Sequence, residues 1–259
     1  MADGLRVEGL SLSFGGLSVL RNVGLDTRTG ELLCLIGPNG AGKTSVLNCI
    51  CGLYRPGAGR ITFGGEDITR TPPHRISRIG IARTFQHGEL FAHLTVLENL
   101  LVARHARMRT GLLAEGFFTR GVRAAEAMHR LAVEKVLEFT DLERYRYEQV
   151  DALPFGVQKV VGFARALAME PKLILLDEPS AGLNRDEREH LARYILRIKH
   201  DLGIPMVWVE HDMQMVADLA DRLYVLDHGE PIAEGEPAQV LADPRVVGAY
   251  LGSRAAALR

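Results

Sequence analysis

The chain has 259 residues, a formal net charge of −1, 47% hydrophobic residues and three cysteines. That length holds one large domain or two small ones with ample apolar content for a core, and the near-neutral charge argues against a protein whose main work is gripping nucleic acid. The N-terminus reads as lacking a secretion signal, and no apolar run approaches the roughly 20 residues of a spanning helix. Work at a membrane is therefore expected to proceed by docking to an embedded partner.

Leu5, Val7, Leu10, Leu12 and Phe14 alternate with polar residues, and a second run, Val19 to Leu25, follows Gly15-Gly16. This predicts an antiparallel start. Phe14 is either core or a flat surface on which a purine ring stacks. The short, continuously apolar run Leu32 to Ile36 predicts a parallel strand covered on both faces. It leads into Gly37-Pro38-Asn39-Gly40-Ala41-Gly42-Lys43-Thr44, after which Val46, Leu47, Ile50 and Leu53 recur at helical spacing, with Gly52 and Gly57 as stop signals. Strand, glycine-rich loop and helix are the context of a phosphate-binding loop. Glycines let the backbone turn tightly and aim amide N–H groups inward, and the helix N-terminus adds positive potential. Lys43 is expected to reach the outer phosphates and the Thr44 hydroxyl to ligate Mg2+; Ser45 completes the nucleotide-binding run. Cys34, Cys49 and Cys51 form no Cys-x-x-Cys pattern and read as small buried hydrophobes of a reduced, cytosolic protein.

Further along, Gly59 to Phe63 with Gly64-Gly65 predicts a strand and turn, Pro72-Pro73 opens a short helix to Ile79, and Ile81 to Phe85 predicts a strand ending in Gln86. From Thr95 to Tyr145 the pattern turns helical, with a looser piece around Gly111 to Gly121. Between residues 101 and 130, Arg104, Arg107, Arg109, Arg120, Arg123 and Arg130 outnumber Glu115 and Glu126, which fits a solvated helix face or a surface turned to anionic lipid. Leu153-Pro154-Phe155-Gly156 starts another helix with Pro154 in its first turn, and Val157, Val160, Val161, Ala164, Leu167 and Ala168 form its apolar stripe. Pro171 stops it. Leu173 to Leu176 is a second fully apolar strand, delivering Asp177-Glu178 to the ligand-binding edge of an open α/β sheet. Asn184 with Glu187 forms a capping box for a helix with the stripe Leu191, Tyr194, Ile195 and Ile198. A third buried strand, Met206 to Val209, brings Glu210-His211 to the same edge, and Asp212 caps the next helix. Leu223 to Leu226 and Pro231 to Ala233 read as a hairpin, and the tail beyond Asp243 ends in an Ala-rich segment expected to be disordered.

Phosphoryl transfer to water needs a metal against the phosphates, a group orienting the attacking water, and donors around the terminal phosphate. Asp177 is suited to hold Mg2+ through water, and Glu178, pointing differently, to polarise the nucleophile. Gln86 and His211, from other strand ends, are suited to sense the metal, the water and the terminal phosphate.

Taken together these residues resemble the ATP-binding subunits of ABC transporters over nearly the whole chain. The resemblance implies an α/β P-loop NTPase core with an antiparallel β subdomain and an inserted α-helical subdomain. Its expected division is residues 1–87 and 161–242 for the core, 88–160 for the helical subdomain with its signature loop, and 243–259 for a C-terminal tail. Phe14 corresponds to the adenine-stacking aromatic, Gly37 to Thr44 to the Walker A motif, Gln86 to the Q-loop and metal, Leu173 to Glu178 to Walker B with the catalytic glutamate, and His211 to the switch histidine. Leu153 to Val157 occupies the place of the Leu-Ser-Gly-Gly-Gln signature. Only Leu153 and Gly156 survive there, so a serine bond to the terminal phosphate is missing while the Gly156 N–H and the helix terminus remain. Asn184 stands where the family commonly has an aspartate.

Phe155 before the signature glycine, Arg83-Thr84-Phe85-Gln86, Ala181-Gly182-Leu183-Asn184, Val209-Glu210-His211-Asp212-Met213 and Ala249-Tyr250-Leu251-Gly252 resemble the larger ATPase of branched-chain amino acid importers. This implies ATP and Mg2+ as cofactors, membrane permease subunits and a second ABC ATPase as partners (in a heterodimer or homodimer), an indirect link to a solute-binding protein, no nucleic acid, and a peripheral place on the cytoplasmic face of the membrane. The opposing reading is a soluble ABC ATPase acting on DNA or ribosomes. Such proteins usually carry a long coiled-coil insertion or two fused units, and this chain has one of each motif and no sustained heptads.

Overall fold

Three short strands without a single exposed residue dictate the architecture: β3 (Leu32–Ile36), β7 (Leu173–Asp177) and β8 (Met206–Val209). The computed structural model describes residues 4–84, 90–107 and 120–256. Side chains alternate across a strand, so a strand apolar at every position must be covered on both faces. Leu33, Leu35, Leu173, Leu175, Val207 and Val209 face one core; the alternate residues Leu32, Cys34, Ile174, Leu176, Met206 and Trp208 are fully buried as well. The sheet runs β10-β9-β3-β8-β7-β6, with β6 (Ile81–Thr84), β7, β8, β3 and β9 (Arg222–Asp227) parallel, and β10 (Glu230–Gly235) antiparallel at the edge. Pro231, which has no N–H to give a ladder, sits in that edge strand.

A second, antiparallel sheet, β2-β1-β4-β5, joins β1 (Leu5–Phe14), β2 (Leu17–Asp26), β4 (Ala58–Phe63) and β5 (Glu66–Asp67). Its alternating residues Leu5, Val7, Leu10 and Leu12 share one core with helix α1 (Lys43–Ile50) and the parallel sheet. Short helix α2 (Pro73–Ile79) leads into β6.

Residues 4–84 and 172–256 thus fall in one compact unit, and His87–Pro171 forms another. The second unit is built from α3 (Val96–Ala103), α4 (Arg120–Phe139) and α5 (Phe155–Ala168), whose apolar faces bury Val96, Leu100, Val133, Leu137, Val161 and Ala164 together. Thr95 and Glu98 form a reciprocal capping box on α3. Beyond this unit the first resumes with α6 (Arg185–Arg197), α7 (Met213–Leu219), α8 (Pro237–Leu241) and α9 (Pro244–Ala256). The capping box of Asn184 with Glu187 is present, as is the Asp212 cap.

Several expectations need correction. Leu53 lies beyond α1, half exposed, because the helix ends at Ile50. Pro154 is the residue before α5, extended at φ −55° and ψ 146°, so the helix starts one residue later at Phe155. The tail is helical from Pro244 to Ala256, and the last three residues of the Ala-rich end lie outside the described residues. The Arg-rich face also divides. Arg123 and Arg130 are exposed, but Arg104 is buried, donating from Nε to His129 Nδ1 (3.1 Å), and from its two terminal nitrogens to the Ala168 carbonyl (2.7 Å) and Glu170 (2.9 Å). Arg107 turns to the same Glu170 at 2.6 Å. A guanidinium with its donors used inward offers nothing to a lipid headgroup. Arg109, Glu115 and most of the looser piece lie outside the described residues.

Burial lowers the His129 pKa from its usual 6.5, and the Arg104 charge adds to this. A base whose folded pKa is depressed binds its proton more readily when unfolded, so its contribution is complete above about pH 6.5 and is lost as pH falls through the lower folded value. His129→Gln keeps an acceptor for Arg104 without titrating. We expect the wild type to lose more stability than His129→Gln between about pH 7.5 and about pH 5.5 in urea titrations; equal losses would place the pH dependence elsewhere.

Candidate functional site

The phosphate loop begins where β3 ends. Gly37 has φ 149°, and a Cβ there would lie 2.0 Å from the Leu226 carbonyl oxygen; at Gly42, φ 101°, a Cβ would meet the Leu20 side chain at 2.7 Å. No L side chain fits either place. Gly42 is the residue before α1, so the N–H groups of the first helical turn open into the loop. Lys43, only 5% exposed, folds back so that Nζ donates to the carbonyls of Gly37 (2.7 Å) and Pro38 (2.9 Å). Burial lowers its pKa, while the charges of Glu178 and Asp177 oppose that shift.

A cleft of about 390 Å³ is lined by Gly40, Lys43, Thr44, Ser45, Glu178 and His211, among others. Val19 of β2, which the sequence marks only as the start of an apolar run, also lines it. Register explains the convergence: Leu35 of β3 lies beside Val209 of β8, and Val209 beside Asp177 of β7, so all three parallel strands end in one row. Glu178 leaves its strand with φ 47°, a left-handed conformation rare for a side chain of this size. Its N–H donates to the Val209 carbonyl at 2.9 Å. His211 Nε2 lies 2.6 Å from Glu178 Oε1. Because an ionised carboxylate only accepts, the proton of this contact is on Nε2.

Asp177, the neighbour of Glu178, is not among the residues lining the cleft; it is 3% exposed, with Oδ2 paired to Arg83 at 2.6 Å, and Arg83 also donates to Asn48 Oδ1 of α1 at 2.6 Å. Among the described residues no hydrogen-bond donor reaches Asp177 Oδ1. A buried carboxylate oxygen left open fits a role as acceptor for water on a hard cation. Mg2+ is an ion held by few protein ligands plus water and phosphate oxygens. Thr44 and Asp177 are the residues that would hold it.

The buried Glu210 accepts from the Trp208 indole (3.3 Å) and the His211 backbone N–H (2.9 Å), fixing the turn that presents His211. The roles of Arg83, Asn48 and Glu210 were missed. A charge inside the short strand Ile81–Thr84 was the one available signal for Arg83.

Phe14 is 48% exposed, which excludes the core reading; its ring meets Tyr54 edge-on at 5.0 Å, and it is not among the residues lining the cleft. Gln86 lies outside the described residues. Leu153 and Gly156 are buried in the helical unit, where the Gln158 side chain donates to the Leu153 carbonyl at 2.8 Å, while Phe155 is 52% exposed with Lys159 over its ring. Cys34 and Cys49 are buried and Cys51 is half-buried; burial pushes the Cys49 thiol up to about 12, in keeping with inert packing residues.

Residues 20–181 match the family described as ABC transporter, and residues 230–256 match one described as branched-chain amino acid ATP-binding cassette transporter. The chain is 41% identical over 250 residues to the high-affinity branched-chain amino acid transport ATP-binding protein LivG of Escherichia coli (strain K12), covering 96% of this chain and 97% of the relative. It is 38% identical over 248 residues to BraF, the corresponding protein of Pseudomonas aeruginosa, covering 96% and 97%. Among solved structures it resembles a nucleotide-free ATP-binding cassette from an ABC transporter, with TM-score 0.83 and 33% identity over 95% of this chain and 98% of the other. It also resembles a cassette in its ADP conformation, with TM-score 0.84 and 32% identity over 97% and 100%.

The Arg83–Asp177 pair gives a direct test. Removing one partner of a buried pair leaves the other charge uncompensated, so Arg83→Met is expected to cost about 3 kcal/mol of unfolding free energy. In an Asp177→Asn background, where no charge is stranded, the same change is expected to cost roughly 1 kcal/mol. Denaturant titration of the four proteins measures the coupling; equal costs in both backgrounds would show that the pair is not coupled.

Proposed function

The chain belongs to the ABC transporter family of ATP-binding subunits, and from that membership we propose that it hydrolyses ATP to drive an importer for branched-chain amino acids. The observation that carries this reading is the meeting of Lys43, Glu178 and His211 at one cleft on the C-terminal edge of the parallel sheet. The relatives' names support the solute class.

ATP lies with its phosphates along residues 37–45. Backbone N–H groups at the N-terminus of α1 donate to the phosphate oxygens, and Lys43 leaves the carbonyls of Gly37 and Pro38 for the outer phosphates. Phe14, exposed at the end of β1, offers a face to the adenine. Thr44, Asp177 and Gln86 are the residues that would hold Mg2+, which would neutralise charge on the phosphate oxygens. The Glu178 carboxylate accepts a hydrogen bond from a water aligned with the terminal phosphate and raises its nucleophilicity. His211, through Nε2–H, holds that carboxylate in place. The products are ADP and phosphate.

A phosphate loop covers one side of the terminal phosphate. In this proposal the other side is closed by Leu153 to Gly156 and the α5 terminus of a second ATPase, identical or related, which draws on Gly156 N–H because Pro154 has neither side-chain donor nor N–H. No helix among the described residues is long and apolar enough to cross a membrane. In this proposal the protein works as a peripheral subunit on the cytoplasmic face, docked to permease subunits that a solute-binding protein supplies, a placement that the relatives' names as transport ATP-binding proteins support.

Two variants separate binding from chemistry. Lys43→Ala should weaken ATP binding at least tenfold, about the value of one charge-assisted hydrogen bond in a partly dry site; unchanged affinity in calorimetry would remove the phosphate-loop assignment. Glu178→Gln should bind ATP near normally while turnover falls by roughly 100-fold or more. If most of the hydrolysis rate survives, another group activates the water.

A further inference from the structure

The stretch Arg83-Thr84-Phe85-Gln86 enters the chemistry above only through Gln86, yet its arginine joins the two elements that carry Thr44 and Asp177. Strand β6 pairs with β7 so that Arg83 lies beside Leu175, two residues before Asp177. From there the side chain, 6% exposed, directs its two terminal nitrogens to different elements. Nη2 donates to Asp177 Oδ2 and Nη1 to Asn48 Oδ1, each at 2.6 Å.

Asn48 follows Thr44 by four residues on α1, so the two share one face of the helix, a turn apart. A guanidinium is a rigid plane whose nitrogens keep fixed positions relative to one another. Held at both ends, it sets the separation between the helix that carries Thr44 and the strand that ends in Asp177. It also fixes the rotation of the Asp177 carboxylate by taking Oδ2, and Oδ1, which no donor among the described residues reaches, remains the open acceptor. Mg2+ demands near-ideal octahedral geometry with ligand oxygens at about 2.0–2.1 Å. A residue of α1 and a residue of β7 can serve it together only if their spacing is held.

We propose that Arg83 is a positioning residue for the metal side of the nucleotide site: by bridging Asp177 and Asn48 it keeps Thr44 and the Asp177 carboxylate at the spacing that Mg2+ requires. This rests on the reading of Thr44 and Asp177 as metal residues. Arg83 acts only through its two partners, so breaking the bridge removes the part of ATP affinity that Mg2+ contributes and leaves the part that the phosphate loop supplies. A buried ion pair with no such role would act on stability alone.

The test is calorimetric titration of the full-length wild type, Arg83→Lys and Asn48→Ala with ATP, in EDTA and again with Mg2+, beside melting temperatures of the free proteins. The ratio of the two dissociation constants is the readout, and lowered stability does not move it in a protein still folded at the titration temperature. Arg83→Lys keeps a positive charge for Asp177 but cannot hold both partners in one rigid plane; Asn48→Ala leaves the Asp177 ion pair in place and removes only the tie to α1. Each should bind ATP in EDTA as the wild type does and lose about tenfold of the gain from Mg2+, the effect of one lost hydrogen bond to a charged group. A wild-type ratio in either variant, even with a lowered melting temperature, would make the bridge structural only and overturn the proposal. An equal loss of affinity in EDTA would place the effect on the phosphate loop and overturn it too. Should Arg83→Lys fail to fold, Asn48→Ala decides alone. A wild type indifferent to Mg2+ would instead overturn the reading of Thr44 and Asp177, and one that binds no ATP the reading of the loop.

Discussion

The ammonium of Lys43 is a buried positive charge, and the ligand edge is arranged around the cost of keeping it there. Desolvation lowers its pKa, and an isolated buried cation would give up its proton. Two backbone carbonyls at 2.7 and 2.9 Å supply partial charge, and the carboxylates of Glu178 and Asp177 supply the rest. Those carboxylates come from a different strand than the loop. The charge balance therefore exists only when β3, β8 and β7 lie side by side in the observed register, so the site and the central sheet form together.

Adjacent carboxylates diverge in role because the backbone turns between them. Asp177 is the last residue of β7 and remains buried with Arg83. Glu178 takes a left-handed conformation, a strain of about 1–3 kcal/mol for a residue with a side chain, and that turn sends its carboxylate to the cleft and His211. One group is fixed against the Arg83 charge, the other is presented to the cleft. Glu210 anchors the turn behind His211 in the same way.

The sequence showed most clearly whatever depends on local pattern. The strands ending at Ile36, Asp177 and Val209 announced themselves because burial on both faces demands continuous apolar runs, and the glycines at 37 and 42 mark backbone that no side chain can follow. Asn184 and Glu187 act only three residues apart, so their capping box was legible too. Long-range partners were not. Arg104 looks like any solvated arginine until Glu170, 66 residues on, and His129 are folded against it. Arg83 finds Asp177 at 94 residues' separation. The helix from Pro244 onward packs against β10, a long-range contact that composition does not show.

The central claim is that ATP hydrolysis at this sheet edge drives import of branched-chain amino acids. The most direct measurement is uptake of labelled leucine into proteoliposomes holding the permease subunits that copurify with this protein, with its partner ATPase and solute-binding protein, and with ATP supplied on the ATPase side. The account predicts uptake that needs both ATP and this subunit and stops in its Glu178→Gln form. Uptake of leucine undiminished by that substitution, or ATP hydrolysis by the complete assembly with no leucine accumulation, would contradict it.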